Sequence, residues 1–535
     1  MAPRLVGALT EPRIRGPRGG RHQQALVLGG AALLLIIIAL VPLASPLLEL
    51  GAAETDVAEI LGGGRTWTLL LRSIVLASGV TALALAIGVP LGVLLARTDV
   101  LGGRLAALLH GFPMFVPPFL LALGWFHLLG REGLAGTRAS AALLFSPWGV
   151  LVVLALAFAP VATALTALGV LGVDDSLEEA ARVVARPWRV ATRILLPPAW
   201  PAVALAAVVI FALALAELGV PMFLRVDVYP TAVFARLGGV TYAPGEAFAL
   251  ALPLIVIAIG LVFIERQLRG VRSFATLGLR GAARAPIALG RFRVVASAAC
   301  WVSALLAVSP IAALAWEAAR GGGFRALPDW TGGSPTQSLV MGAMAATAIT
   351  ALGLILGHAL ARNVRGAAVL DAIAVTAFLV PAPVLGVGLI ATWNRPSTQA
   401  IYGGVAILVL GAVARYAVIG VRTVAVTVAQ SPAHLEEAAA VAGARFVRRL
   451  LRVVLPIHAR GVFAGWLLAF VFVLRDLEMA VLFYPPGGAP LTVRIFTLEA
   501  NGPPSVVAAL AVLHVGMTAA ALSVGGFLLR RRGPT

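Results

Sequence analysis

Residues 177–198 read LEEAARVVARPWRVATRILLPP, and residues 435–456 read LEEAAAVAGARFVRRLLRVVLP. Both stretches interrupt sequence that is otherwise almost continuously apolar. A charged side chain at the centre of a bilayer costs about 3 kcal/mol on insertion scales. The four arginines and two glutamates of the first stretch therefore place it outside the membrane. Glu and Ala favour helix, so each stretch predicts a short helix beginning at its paired glutamates. The copies match position by position: Glu178-Glu179-Ala180-Ala181 with Glu436-Glu437-Ala438-Ala439, Trp188 with Phe446, and Pro198 with Pro456. In both, the second glutamate precedes the matched proline by 19 residues.

Around these loops the chain reads as a membrane protein. Of its 535 residues 60% are hydrophobic and 12% charged, with a mean hydropathy of +0.98, more apolar sequence than a soluble core requires. A helix needs about 20 apolar residues to cross about 30 Å of hydrocarbon, and about twelve such runs are present. The fold class expected is an all-α polytopic membrane protein with about twelve transmembrane helices in two parallel six-helix repeats. A basic tail (1–23) precedes a first transmembrane domain (24–265). A basic linker (266–293) leads to a second transmembrane domain (294–530). The first apolar run, 25–48, follows basic residues as in a signal peptide, but its length predicts a retained signal-anchor span.

The repeat extends beyond the loops. Leu91-Gly92-Val93-Leu94-Leu95-Ala96-Arg97 matches Leu356-Gly357-His358-Ala359-Leu360-Ala361-Arg362 at an offset of 265. The third span of each half carries prolines (Pro113, Pro117 and Pro118; Pro381 and Pro383), read as kinks rather than ligands. Six spans per half is an even number. The halves then point the same way, and both charged loops emerge on one side.

The net charge of +18 is carried by 41 arginines and no lysine. These follow membrane topology, as the positive-inside rule predicts, and give no reason to invoke nucleic acid. Without lysine no GxxxxGK[ST] phosphate loop can exist. HExxH and GxSxG are absent too, and seven scattered histidines lack metal-ligand spacing. Neither a catalytic residue, a resident cofactor nor a metal is expected. The single cysteine, Cys300, lies in an apolar span and excludes an intrachain disulfide.

The paired loops resemble the EAA loop of binding-protein-dependent ABC importer permeases. That motif runs EAA, three residues, Gly, nine residues, then Ile-x-Leu-Pro. The second copy keeps the glycine (Gly443), and the first has Ala185 there, with Pro187 expected to end its helix instead. The resemblance implies the type I importer permease fold. It also implies an ATPase-docking role for Glu178, Glu179, Ala180, Ala181, Ala185, Glu436, Glu437, Ala438, Ala439 and Gly443. The implied partners are two copies of a cytoplasmic ABC ATPase, which would use ATP and Mg, an extracytoplasmic solute-binding protein, and membrane lipid. The location implied is a bacterial inner membrane, crossed many times, with both termini cytoplasmic. The fused two-half chain, and the stretches 115–125, 216–221 and 482–488, look most like ferric-iron permeases. Thiamine or polyamine importers are alternatives within the class, and a secondary transporter is the alternative outside it.

Three acids fall in or near the fifth spans: Glu217, Asp476 and Glu478. Their distance from the matched prolines puts them toward the outer end, where an acidic side chain faces water or a partner. They are candidate translocation-path residues. The competing reading is packing, with Arg475 pairing to a carboxylate. The outer segments 225–246 and 483–505 are candidates for meeting a binding protein.

Overall fold

The computed structural model describes residues 18–52, 57–238, 244–270 and 285–531. Most of the basic tail and the middle of the linker lie outside these. The principal helices of half one are α1 (Arg18–Leu35), α2 (Val41–Ala52), α3 (Gly64–Arg97), α4 (Gly103–Gly111), α5 (Pro118–Leu129), α6 (Pro147–Leu171), α7 (Asp175–Val184), α8 (Leu196–Ala216), α9 (Gly219–Phe223), α10 (Tyr229–Gly238) and α11 (Pro244–Gly270). Half two repeats the order with α12 (Arg293–Arg320), α13 (Ser334–Ala361), α14 (Ala367–Leu379), α15 (Ala382–Trp393), α16 (Val405–Ala429), α17 (His434–Val441), α18 (Ala459–Leu474), α19 (Ala480–Phe483), α20 (Leu491–Glu499) and α21 (Pro504–Arg531).

The protein is an all-α polytopic membrane protein. Among the described residues nine helices are long and apolar enough to cross a bilayer, and three bent pairs raise the number to twelve. The bends have local causes. The third span of half one turns by 110° between Phe115 and Pro118, and that of half two by 109° between Leu379 and Ala382. Pro117 and Pro118 in the first break and Pro381 in the second lack the N–H a continuous helix would use. The prolines expected to kink the third spans therefore break them. A third bend, of 88°, joins the second charged loop to α18.

Close helix crossings repeat in both halves. Gly88 and Gly92 on α3 form a GxxxG pair, and Gly353 and Gly357 on α13 form its copy. A Cβ on Gly88 would come within 2.4 Å of Ala162 Cβ on α6, and one on Gly353 within 2.4 Å of the Gly420 carbonyl carbon on α16. Small residues here let two backbones approach, as at other membrane helix interfaces. A serine on the same helices holds the far end of each half together. Tyr229 N–H donates to Ser73 Oγ, and Leu491 N–H to Ser338 Oγ, both at 2.7 Å.

The first span of each half packs on the other half. α2 lies on α15, where a Cβ on Gly388 would meet the Pro42 carbonyl oxygen at 1.8 Å. Ser45 Oγ donates to the Gly388 carbonyl at 3.1 Å. In the corresponding arrangement α12 lies on α5, and a Cβ on Gly124 would meet the Pro310 carbonyl at 2.2 Å. The end of the linker is fastened to half one, where Ile287 N–H donates to the Arg97 carbonyl at 2.8 Å.

Candidate functional site

Each charged loop is tied to the span that carries the LGxxLAR repeat of its own half. Glu178 on α7 pairs with Arg97 at the end of α3, both buried. Glu436 on α17 pairs with Arg362, which follows α13, at 2.7 Å. The two sequence repeats are thus physical partners, joined across 81 and 74 residues. Half two elaborates the tie. His358 Nε2 lies 2.6 Å from the other Glu436 oxygen. Arg362 also donates to the Ser431 carbonyl, and Ser431 Oγ meets His458 Nε2 at 2.9 Å. Burial alone would push the Glu436 carboxyl up. The hydrogen bond and charge of His358 and those of Arg362 outweigh burial and hold it at about 2.

Because the first glutamate of each pair is used internally, the second points outward. Glu179 and Glu437 are exposed. Matched apolar residues join them on the surface: Leu177 with Leu435, and Val183 with Val441, the latter pair 85% and 69% exposed. Ala180 and Ala438 are both exposed, whereas Ala181 is buried under the first loop and its counterpart Ala439 is half-buried.

The two loops turn differently. α17 ends in a Schellman motif: Gly443 N–H donates to the Ala440 carbonyl and Ala444 N–H to that of Ala439, with Gly443 at φ +84°. In the first copy α7 stops at Val184 and Pro187 opens the next helical turn, and Ala185 turns without a positive φ. The aligned aromatics also part company. Phe446 is 2% exposed and packs on the His358 ring at 5.8 Å, whereas Trp188 is 54% exposed beside Arg189.

The three path candidates converge on one cavity between the halves. Glu217, Asp476 and Glu478 line it with Arg415, Arg475, Tyr416 and the span-break residues Pro117 and Pro118. Its free space is about 40 Å³, enough for a few waters at most, so the two halves meet in a closed state. Glu217 Oε1 accepts from Val220 N–H at 3.2 Å, and Asp476 Oδ1 from Met479 N–H at 3.1 Å. The two acids are therefore equivalents, each stationed where its fifth span breaks. Glu217 directly follows the candidate span Val190–Ala216, and Asp476 and Glu478 follow the end of α18. Phe158 of α6 and Arg415 of α16 line the same cavity, and short helices come after the acids at Gly219–Phe223 and Ala480–Phe483.

Nothing in the sequence singles out Arg415, on α16, yet it is the partner of these acids. Its guanidinium bonds Glu478 at 2.6 Å and lies 3.6 Å from Asp476. Arg475, which the competing packing reading pairs with a carboxylate, donates to the Met114 carbonyl of half one. Only the three-dimensional fold brings residue 415 to residues 476–478. Among the described residues no three His, Cys, Asp or Glu side chains converge closely enough to hold a metal ion.

No protein-family profile matches the chain. It is 32% identical over 207 residues to a probable molybdenum ABC transporter permease of Haloferax volcanii, covering 38% of this chain and 75% of the relative. It is 24% identical over 419 residues to a putative ferric transport system permease of Haemophilus influenzae, covering 73% of this chain but 65% of the relative's own length. A molybdate/tungstate transport system permease of Thermococcus kodakarensis is 31% identical over 160 residues, covering 30% of this chain and 60% of the relative. With paired EEAA loops on a two-half helical bundle, and three quarters of one such permease matched at 32% identity, the chain belongs to the ABC transporter permeases.

Proposed function

We propose that this chain is the membrane subunit of an ATP-driven importer and forms the path for ferric iron delivered by an extracytoplasmic binding protein. The observation that carries the reading is the matched outward face of the two loops. Glu179 and Glu437 are exposed beside Leu177, Val183, Leu435 and Val441, on loops anchored by Glu178 and Glu436. An exposed apolar patch next to charge suits a protein partner. On this reading each loop seats one copy of a cytoplasmic ATPase, which binds ATP and Mg and does the hydrolysis. Both termini then face the cytoplasm of a bacterial inner membrane.

Ferric iron is favoured by the ferric permease that matches across 73% of the chain and by three carboxylates on one cavity, since oxygen ligands suit a hard cation. The relatives named for molybdenum and molybdate support a second reading, an oxyanion cargo, for which Arg415 and Arg475 would be suitable neighbours. The experiment is reconstitution of the chain with its ATPase and binding protein in liposomes, with uptake of radioactive ferric iron or molybdate. ATP-dependent iron uptake is expected. Molybdate uptake alone would replace the cargo, and uptake driven by an ion gradient without ATP would remove the importer reading. Glu437→Arg should reduce ATPase co-purification by about tenfold, as reversing an interface charge does.

A further inference from the structure

The break in the third span of half one leaves the Met114 carbonyl without a backbone donor. In a helix the Met114 carbonyl would accept from the residue four or three positions on. Those residues are Pro118 and Pro117, and neither has an N–H. Inside a membrane such a group is tolerated only where a neighbouring element or water in a cavity satisfies it. The donor here is Arg475 Nη1, from the other half of the chain.

Several features make this contact more than incidental packing. Arg475 stands immediately after α18 ends at Leu474, so it belongs to the break in the fifth span. Its guanidinium is steadied over the Phe472 ring at 5.3 Å. Both Arg475 and the Pro117–Phe119 stretch line the central cavity. The same seam carries Phe119 of half one against Phe496 of half two, with ring centroids 5.2 Å apart. The contact is one-sided. Asp476 matches Glu217, so Arg475 matches Ala216, which has no donor to offer. In half two Pro381 is followed by Ala382, which keeps its N–H.

We propose that Arg475 is a cross-half latch: by donating to the Met114 carbonyl it pins the span-three break of half one to the span-five break of half two and keeps the cavity closed. This rests on the reading of that cavity as the translocation path, and passage of cargo then requires the bond to open. The latch is well matched to a path that alternates. When the cavity opens, water satisfies both the carbonyl and the guanidinium, so release is cheap. When it is closed, with room for a few waters at most, Arg475 is the donor that meets the carbonyl.

The test uses cysteine accessibility. On a Cys300→Ser background, Leu213→Cys places a thiol on the cavity wall. The full chain with its ATPase is reconstituted in liposomes and labelled with a charged, membrane-impermeant methanethiosulfonate. The parent is expected to label slowly and to respond to ATP. Arg475→Met should label at least tenfold faster without ATP. Arg475→Gln, which keeps a polar group but is too short to reach Met114, should do the same and serves if the Met variant does not assemble. Either variant labelling at the parental rate overturns the latch, while an ATP response in the parent keeps the transport reading. A parent that never responds to ATP overturns the transport reading and the latch's role with it.

Discussion

Glu436 sits between a histidine and an arginine from one end of one span, and this geometry decides how its loop responds to pH. The carboxyl is held at about 2, below its ordinary 4.5. A depressed carboxylate contributes its stabilisation fully above the unfolded value and loses it as pH falls through the folded one. The share of the anchoring of α17 that the Glu436 carboxylate contributes should therefore be lost only as pH falls between about 4.5 and 2. Hydrogen exchange of the 434–441 amides, corrected for intrinsic rates, reads this directly. Arg362→Met removes the bonds at 2.7 and 2.9 Å. Charge-assisted hydrogen bonds are worth about 1.5–3 kcal/mol, so protection of those amides should fall by about tenfold or more. Glu437→Gln, at the exposed neighbour, should leave protection within about twofold, because exposed charges contribute little.

At the scale of elements, the α13–α16 crossing has no room for a side chain at Gly353, where even a Cβ would lie 2.4 Å from backbone. Gly353→Leu should cost about 1–3 kcal/mol from overpacking and lower the thermal midpoint of the detergent-purified chain. Leucine at Gly516, where nothing lies within 4 Å of a Cβ, should shift it by no more than about 1 °C. Hydropathy alone revealed the spans, and the glycines and prolines of the repeat were visible as letters. Period and composition also exposed the paired loops, because their spacing is local. What escaped were contacts between distant parts of the chain. That Arg97 and Arg362 close on Glu178 and Glu436 requires knowing that spans two and four cross at glycines. That Arg415 meets Glu478 requires the fifth span to break. The alignment of Trp188 with Phe446 was correct as sequence but not as environment. With no glycine at Ala185, the first loop turns differently and leaves its aromatic ring exposed.

For the whole molecule, the halves of the sequence are not the units of packing. α2 rests on α15 and α12 rests on α4 and α5, so each half lends its first span to the other. Charge reinforces the exchange at the loop end, where Arg422 of half two bonds Glu265 of half one at 2.8 Å and Asp371 at 3.1 Å. Trp301 on α12 donates to the Leu101 carbonyl at 2.9 Å, another tie between halves. A chain cut within residues 271–284 should consequently behave as one protein. Neither fragment alone buries the faces its missing partner covers. Separating them would uncover the glycine seats of Pro42 and Pro310, where backbone touches backbone too closely for lipid to take its place. Co-expressed fragments, with a tag on one only, should co-purify in near-equal amounts. Removing residues 1–52 from the first fragment should weaken that recovery more than Arg422→Leu does, because a whole helix face outweighs one partly exposed ion pair. Recovery unaffected by the truncation would show that α1 and α2 are dispensable, and the exchanged span would then carry no share of the assembly.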